Sequence, residues 1–264
     1  MMEWYRQRKG DFVIMTIRTV WAVLAAVFFF VCSLPVMLIV WIAGKFAPQA
    51  ADRISYATVC WGLRLVAAST GCPVTIVGQE NIPKDCPSLF VGNHRSIFDI
   101  IMTAPLLPRP FIIIAKKELG KIPLLHFWMK RIHCLFLDRS DIRAGAQMVT
   151  DAAAGLKNGS SVLIFPEGTR TKEEGRIGEF KGGSFKIAIR AGAPVVPITL
   201  IGTGNILEDH PMKVYKTPVT IVIGTPIETG NLSIAERKLL PEKVEQVIAM
   251  TYQQYAPEKW RGIV

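Results

Sequence analysis

The chain has 264 residues and a mass of 29.3 kDa, which is enough for one large domain or two small ones with a substantial buried core. Half of its residues are hydrophobic, 20% are charged and the mean hydropathy is +0.31, which excludes a disordered chain and is unusually apolar for a soluble enzyme. The formal net charge of +10 narrows the partners to membrane lipid, nucleic acid or a phosphorylated substrate.

An uncharged apolar segment occupies residues 19–44, between Arg18 and Lys45. As one helix it would extend over roughly 39 Å, more than the ~30 Å hydrocarbon core of a bilayer. The segment is too long for the apolar part of a cleavable signal peptide, and no clean cleavage site follows it. The positive-inside rule places the N-terminus on the cytoplasmic side, because four basic residues precede the segment: Arg6, Arg8, Lys9 and Arg18.

Pro35 divides this segment into residues 19–32 and residues 36–44, each too short to cross a bilayer alone. Two arrangements remain open, a single kinked span and a bent hairpin within one leaflet. A hairpin keeps the rest of the chain on the cytoplasmic side, whereas a single span carries it across the membrane. The five cysteines favour the hairpin, since they form no Cys-x-x-Cys pair and suggest a reducing compartment. We expect a membrane anchor at residues 1–50, with the domain at residues 51–264 on the cytoplasmic face.

From residue 73 onwards, short β-branched runs alternate with helical patterns. Several runs lack polar alternation, as expected of strands buried on both faces. Strands are predicted at residues 74–77, 89–92, 111–115, 134–137, 162–165, 195–200 and 219–223, and helices at residues 55–70, 100–107, 142–156, 185–190 and 241–255. This alternation predicts an α/β domain with a largely parallel central sheet flanked by helices, which binds ligands at the carboxyl ends of its strands.

His94 follows the second predicted strand, and Asp99 comes five residues later, where a helix is predicted to begin. A short turn would bring the Asp99 carboxylate onto the Nδ1–H of His94 and leave Nε2 free as a base. No Gly-x-Ser-x-Gly motif is present, so the nucleophile of such a dyad would be a substrate hydroxyl. The alternative is a chance spacing around a structural histidine. The remaining histidines have no comparable setting and are interpreted as structural or surface residues: His126, His133 and His210.

A second polar cluster, Glu167-Gly168-Thr169-Arg170, follows the predicted strand at residues 162–165. Gly168 allows close backbone approach, Thr169 offers a donor, and Arg170 can bind phosphate through its planar fork. The alternative is an ion pair between Glu167 and Arg170 that only rigidifies the loop. Two more strands end in cations, so one sheet edge is expected to surround a base with positive charge suited to an anionic substrate: His94, Lys116, Arg139 and Arg170.

Basic residues outnumber acidic ones between residues 107 and 145 and alternate there with apolar side chains. This stretch is interpreted either as a patch resting on anionic lipid headgroups or as an ordinary solvated face. The sequence has no recognisable nucleic-acid-binding motif, so nucleic acid is not expected as a partner. No His-Glu-x-x-His motif or Cys/His cluster accompanies His94, so no metal site is expected.

In order along the chain, these motifs resemble those of the glycerolipid acyltransferases, in particular the 1-acyl-glycerol-3-phosphate acyltransferases. The resemblance covers residues 78–200, about half of the chain. It includes a Phe-Lys-Gly-Gly run at residues 180–183. The four motifs are His94-x4-Asp99 within Asn-His-x-Ser-x-x-Asp, Arg139 within Leu-Phe-Leu-Asp-Arg, the run from Phe165 to Arg170, and Val195-Val196-Pro197-Ile198.

The resemblance implies an O-acyltransferase that moves a fatty acyl group from acyl-CoA or acyl carrier protein to the 2-hydroxyl of lysophosphatidic acid, without a cofactor. It implies that His94 is the general base and Asp99 its orienting partner. Acyl transfer also needs donors for the oxyanion, which the backbone of the loop after His94 could supply. The resemblance also implies that Arg139 and Arg170 bind the phosphate, with Lys116 a weaker candidate, and that Glu167 and Gly168 shape the acceptor site. The alternatives are acylation of glycerol-3-phosphate or another lysophospholipid, thioester hydrolysis, and a non-catalytic lipid-binding protein.

Overall fold

The computed structural model describes residues 2–138, 141–210 and 213–261. Its first element, α1 (Met2–Phe46), is one helix that continues through Pro35. Ala47 separates it from α2 (Pro48–Ser69), where Pro48 occupies a first-turn position that needs no backbone N–H. The predicted one-leaflet hairpin divided at Pro35 is therefore wrong: the chain reverses at Ala47, and the two arms are α1 and α2.

The two N-terminal helices pack against each other. The Phe29 ring of α1 lies 5.9 Å from the Trp61 ring of α2, measured between centroids. Gly62 allows this approach, since a Cβ there would come within 2.4 Å of the Phe29 ring. α1 also contacts the rest of the chain, because the Trp128 indole N–H donates to Ser33 Oγ at 3.1 Å. The opposite side of α1 is exposed and apolar, and 34 residues, Val13–Phe46, are long and apolar enough to cross a membrane.

The remaining chain forms the predicted α/β domain around one seven-stranded sheet. Its strands are β1 (Val74–Val77), β2 (Leu89–Gly92), β3 (Phe111–Lys116), β4 (Leu135–Leu137), β5 (Ser161–Ile164), β6 (Val195–Ile201) and β7 (Val219–Ile223). The order is β1-β7-β6-β2-β5-β3-β4. Strands β2 to β6 are mutually parallel, and β7 pairs antiparallel with β6, so β1 and β7 run against the other five. The carboxyl ends of β2, β3, β4 and β5 therefore lie at one edge.

Helices cover both faces of the sheet: α3 (Ile97–Thr103), α4 (Pro123–Arg131), α5 (Ile142–Lys157), α6 (Gly182–Ala191), α7 (Gly204–Leu207) and α8 (Ile234–Tyr255). Alternate residues of β2 point to opposite sides. Phe90 packs with Tyr56 and Phe111 on the α1–α4 side, whereas Leu89 packs with Phe185 on the side of α5, α6 and α8. Because both faces are buried, the strands read as continuous apolar runs.

One helix, α8, begins well before its apolar pattern predicts. α8 starts at Ile234, well before Pro241, because Ser233 and Glu236 form a capping box that satisfies the first backbone N–H groups. Pro241 therefore lies inside α8. The sequence around Ser233 carries this capping signature, so the earlier start was readable without the structure.

Candidate active site

His94 and Asp99 are in contact, as the sequence predicts. Nδ1 of His94 lies 2.8 Å from Oδ2 of Asp99, and Asp99 is fully buried behind the ring. The imidazole stacks on Phe165 from the end of β5, with centroids 4.3 Å apart, which fixes the ring plane. Ser96 begins α3 and Asp99 is its third residue, so the capping interaction that starts the helix also turns the carboxylate back towards His94.

The backbone N–H groups after His94 already have acceptors. Asp99 Oδ2 accepts from the N–H groups of Arg95 at 2.7 Å and Ser96 at 2.8 Å. The Ile97 N–H donates to Glu208 Oε1 at 2.9 Å, and the Phe98 N–H donates to Ser96 Oγ at 3.0 Å. This loop therefore orients His94 and Asp99, and its N–H groups at residues 95–98 are not free to bind an oxyanion, contrary to the expectation from the sequence.

Glu167 supports the loop that carries His94. Its Oε1 accepts the His94 backbone N–H at 2.8 Å, and its Oε2 lies where a Cβ on Gly178 would come within 2.9 Å. Burial raises the pKa of this carboxyl from its ordinary value of 4.5 to about 8, because the charged form loses its hydration. The ion pair between Glu167 and Arg170 is not formed, since Arg170 contacts Glu208 instead.

The raised pKa of Glu167 predicts a stability that falls as pH rises. Between about pH 4.5 and 8 the native chain holds a proton that the unfolded chain has released, so unfolding becomes more favourable as pH increases through this window. Replacement with Gln keeps an oxygen for the His94 N–H and removes the titration. We expect the melting temperature of Glu167→Gln in detergent to fall less than that of the wild type between pH 6 and 9. The exposed Glu228→Gln variant should behave like the wild type, and an unchanged slope in Glu167→Gln would contradict the assignment.

A cleft of about 540 Å³ opens in front of His94 at the carboxyl edge of the sheet. It brings together five of the predicted site residues: His94, Lys116, Gly168, Thr169 and Arg170. Its apolar side is formed by Ile100, Ile114, Leu119, Leu137 and Met148. The cleft therefore joins an imidazole and cations to apolar side chains, and the carboxylates of Asp138 and Asp141 line it as well. Glu167 lies on a neighbouring cavity of about 600 Å³, which shares Thr169 and Arg170 with the cleft.

Two of the predicted cations each contact one carboxylate. Arg170 contacts Glu208 through Nη1 at 3.3 Å, and Lys116 Nζ lies 3.5 Å from Glu118 Oε1. Both side chains are about half exposed, so they can reorient towards a ligand. Arg139, the other predicted phosphate ligand, lies outside the described residues. Of the predicted lipid-facing patch, Trp128 and Met129 are buried in the core.

The structure adds three side chains that the sequence did not single out. Lys181 lines both cavities, and its Nζ passes over Gly168, where a Cβ would approach within 2.9 Å. Arg95 is buried, and its guanidinium contacts Asp209 and donates to the Thr171 carbonyl at 2.9 Å. Glu208 contacts the loops of both main motifs. Only Lys181 had a signal in the sequence, since it belongs to the Phe-Lys-Gly-Gly run.

Comparison with known proteins defines the class. Residues 73–201, which contain both polar loops, match a family model described as Acyltransferase. A chloroplastic 1-acyl-sn-glycerol-3-phosphate acyltransferase of Arabidopsis thaliana is 42% identical over 135 residues, which cover 51% of this chain and 37% of that protein. A probable 1-acyl-sn-glycerol-3-phosphate acyltransferase of Mycoplasma pneumoniae is 32% identical over 201 residues, which cover 71% of this chain and 74% of that protein.

A solved structure extends the similarity beyond the motifs. The crystal structure of the 1-acyl-sn-glycerophosphate (LPA) acyltransferase PlsC from Thermotoga maritima matches with a TM-score of 0.73 and 26% sequence identity. The match covers 90% of this chain and 97% of that one, so it takes in most of the N-terminal helices as well as the sheet. The chain belongs to the 1-acyl-sn-glycerol-3-phosphate acyltransferase family. It spans only about two fifths of the length of the Arabidopsis relative.

Proposed function

We propose that this protein transfers a fatty acyl group from an acyl thioester to the 2-hydroxyl of 1-acyl-glycerol-3-phosphate and so makes phosphatidic acid. The observation that carries the proposal is the His94–Asp99 contact at 2.8 Å beside a cleft whose lining includes Lys116, Arg170 and several apolar side chains. Such a cleft suits an acceptor with a phosphate at one end and an acyl chain at the other. The names of the relatives support the same substrate.

In the proposed reaction, Nε2 of His94 takes the proton of the 2-hydroxyl while the oxygen attacks the thioester carbonyl carbon. A new ester C–O bond forms, the C–S bond breaks, and the leaving sulfur receives the proton back from His94. Asp99 stabilises the imidazolium between these steps and keeps Nε2 directed at the cleft. No acyl-enzyme is formed, so the cysteines have no catalytic role.

We propose that Arg170, with Lys116 and Arg139, binds the acceptor phosphate. A guanidinium can donate two parallel hydrogen bonds to a phosphate, and Arg170 lines the cleft with its side chain about half exposed. The proposed donor is acyl-CoA or acyl carrier protein. Gly168 and Thr169 line the same cleft as His94, which supports a role for them in shaping the acceptor site.

One assay separates the proposal from its alternatives. Purified protein is given a radiolabelled acyl-CoA or acyl carrier protein together with glycerol-3-phosphate, lysophosphatidic acid or another lysophospholipid, and the lipid products are separated. We expect labelled phosphatidic acid from lysophosphatidic acid. Acylation of another acceptor only would identify a sister acyltransferase, and release of fatty acid without an acceptor would identify a hydrolase. Binding of lipid without turnover would identify a non-catalytic protein.

We propose that α1 and α2 attach the protein to a single leaflet. α1 is docked along its length, since Thr19 Oγ1 accepts the Val214 N–H at 2.8 Å and Ser33 lies against Trp128. If α1 stood perpendicular to the membrane plane, the chain attached to it would move with it. The charged residues near the start of α2, Asp52 and Arg53, would then be drawn towards the bilayer. Attachment to a single leaflet keeps the domain on the same side of the membrane as the N-terminus. The basic residues before the apolar segment indicate that this is the cytoplasmic side.

The depth of α1 is measurable. Val20 and Ile42 are both exposed and lie about 33 Å apart along the helix, at 1.5 Å per residue. We expect nitroxide labels on cysteines placed at these two positions to show similar depths in vesicles, from their relative accessibility to oxygen and to a water-soluble nickel complex. Labels near opposite bilayer surfaces would show that α1 spans the membrane.

A further inference from the structure

Glu208 joins the two loops that carry the site, although it comes from a different part of the chain. It directly follows α7 and is about four-fifths buried. Its Oε2 accepts the hydroxyl hydrogen bond of Ser96 at 2.6 Å, and its Oε1 accepts the Ile97 N–H at 2.9 Å. Oε1 also accepts from Arg170 Nη1 at 3.3 Å. The Glu208 carboxylate therefore connects the first turn of α3, next to His94, with the guanidinium of Arg170 in the lining of the cleft.

These contacts are unequal. The bonds from Ser96 and Ile97 are short and fix the carboxylate against the first turn of α3, because they satisfy a helix N–H and a capping hydroxyl. The contact with Arg170 is longer and half exposed, and an exposed ion pair of this kind is weak. The bonds to α3 therefore hold Glu208 in place, so that it offers a fixed acceptor to the Nη1 edge of Arg170. Within the described residues Arg170 uses only Nη1, so its other N–H groups remain to donate to a ligand.

We propose that Glu208 is a positioning residue: it holds one edge of the Arg170 guanidinium so that the other edge faces the phosphate of the acceptor. This rests on the proposed function, because it takes the acceptor phosphate as the ligand of Arg170. The opposite arrangement is a latch, in which Glu208 competes with the phosphate for Arg170. The contact through Nη1 alone favours positioning over a latch, because Arg170 can keep it while its other N–H groups donate to a phosphate.

The test is a double-mutant cycle on the full-length protein in detergent, with KM measured separately for lysophosphatidic acid and for the acyl thioester. We expect Glu208→Gln to raise the acceptor KM about 5-fold, an effect of about 1 kcal/mol, with kcat and the donor KM within 2-fold of the wild type. Arg170→Ala is expected to raise the acceptor KM more than Glu208→Gln does. Adding Glu208→Gln to Arg170→Ala should then change nothing further, because Glu208 acts through Arg170. The exposed Glu228→Gln variant is the matched control.

Each outcome has one meaning. A lower acceptor KM in Glu208→Gln would show a latch, and effects that multiply with those of Arg170→Ala would show that Glu208 acts independently. An unchanged acceptor KM would also overturn the proposal. If Glu208→Gln lowers the melting temperature so far that it cannot be assayed, Glu208→Asp keeps the charge but shortens the reach to Arg170, and the same rise in acceptor KM is expected. Absence of phosphatidic acid from the wild type would instead reject the proposed function.

Discussion

Replacing His94 with alanine is expected to lower kcat for acyl transfer by about 10²–10⁴-fold, the range that a positioned general base contributes. The loss should appear in kcat more than in either KM, since the proposed sites for the acceptor phosphate and the acyl chain do not include His94. Initial rates of phosphatidic acid formation, with both substrates varied, measure this. Substantial turnover in His94→Ala would reject the proposed mechanism.

The variant should remain folded. Asp99 keeps its hydrogen bonds from the N–H groups of Arg95 and Ser96, so no buried carboxylate is left without a donor. The lost stacking on Phe165 lowers the melting temperature only moderately. His133→Asn is the matched control, because His133 is exposed at the amino end of β4 and has a positive φ of 56°, which Asn tolerates better than Ala. This control should retain full activity.

The sheet and the dyad were predictable for the same reason, that their signals are local. Strands buried on both faces appear as short β-branched runs, and the polar residues that interrupt them lie at their carboxyl ends. His94 and Asp99 are only five residues apart, and the start of a helix between them is enough to bring them into contact. The reversed direction of β1 and β7 has no local signal, because it depends on how the connection after β6 returns to the sheet.

Pro35 and Pro241 show where local rules fail. Each was read as a helix boundary because proline lacks a backbone N–H, yet each lies inside a helix. The cost of a lost hydrogen bond is offset when packing on both sides of the proline continues, as at Ser33 against Trp128. Helix propensity is a weak prior beside such tertiary contacts.

Glu208 marks the limit of prediction at the site. Its partners Ser96 and Ile97 lie more than a hundred residues earlier in the chain, and the surrounding sequence resembles no motif. The contact between Asp209 and Arg95 also joins residues that are more than a hundred positions apart, so it could not be predicted either. Glu167 was predicted to belong to the site, but the hydrogen bond that its Oε1 accepts from the His94 backbone was not predicted. Residue types indicate which chemistry is possible, whereas the partner of each charge is decided by the fold.

Asp99→Asn tests whether the dyad needs the negative charge or only the hydrogen bond. Among the described residues, the Asp99 carboxylate makes three hydrogen bonds, and all of them reach Oδ2, from His94 and from the N–H groups of Arg95 and Ser96. An asparagine with its oxygen at that position keeps this geometry and removes the charge that stabilises the imidazolium. We expect kcat to fall by about 10²–10⁴-fold with both KM values nearly unchanged.

The other carboxylate oxygen of Asp99, Oδ1, determines how far this substitution destabilises the fold. Oδ1 is buried and has no hydrogen-bond partner among the described residues, so the amide N–H₂ placed there is unsatisfied and destabilises the fold by about 1–3 kcal/mol. The melting temperature should therefore drop, while circular dichroism at the assay temperature stays native. Asp151→Asn, on the exposed side of α5, should change neither quantity. If Asp99→Asn keeps near wild-type kcat, then Asp99 acts only as the cap of α3, and His94 works without a charged partner.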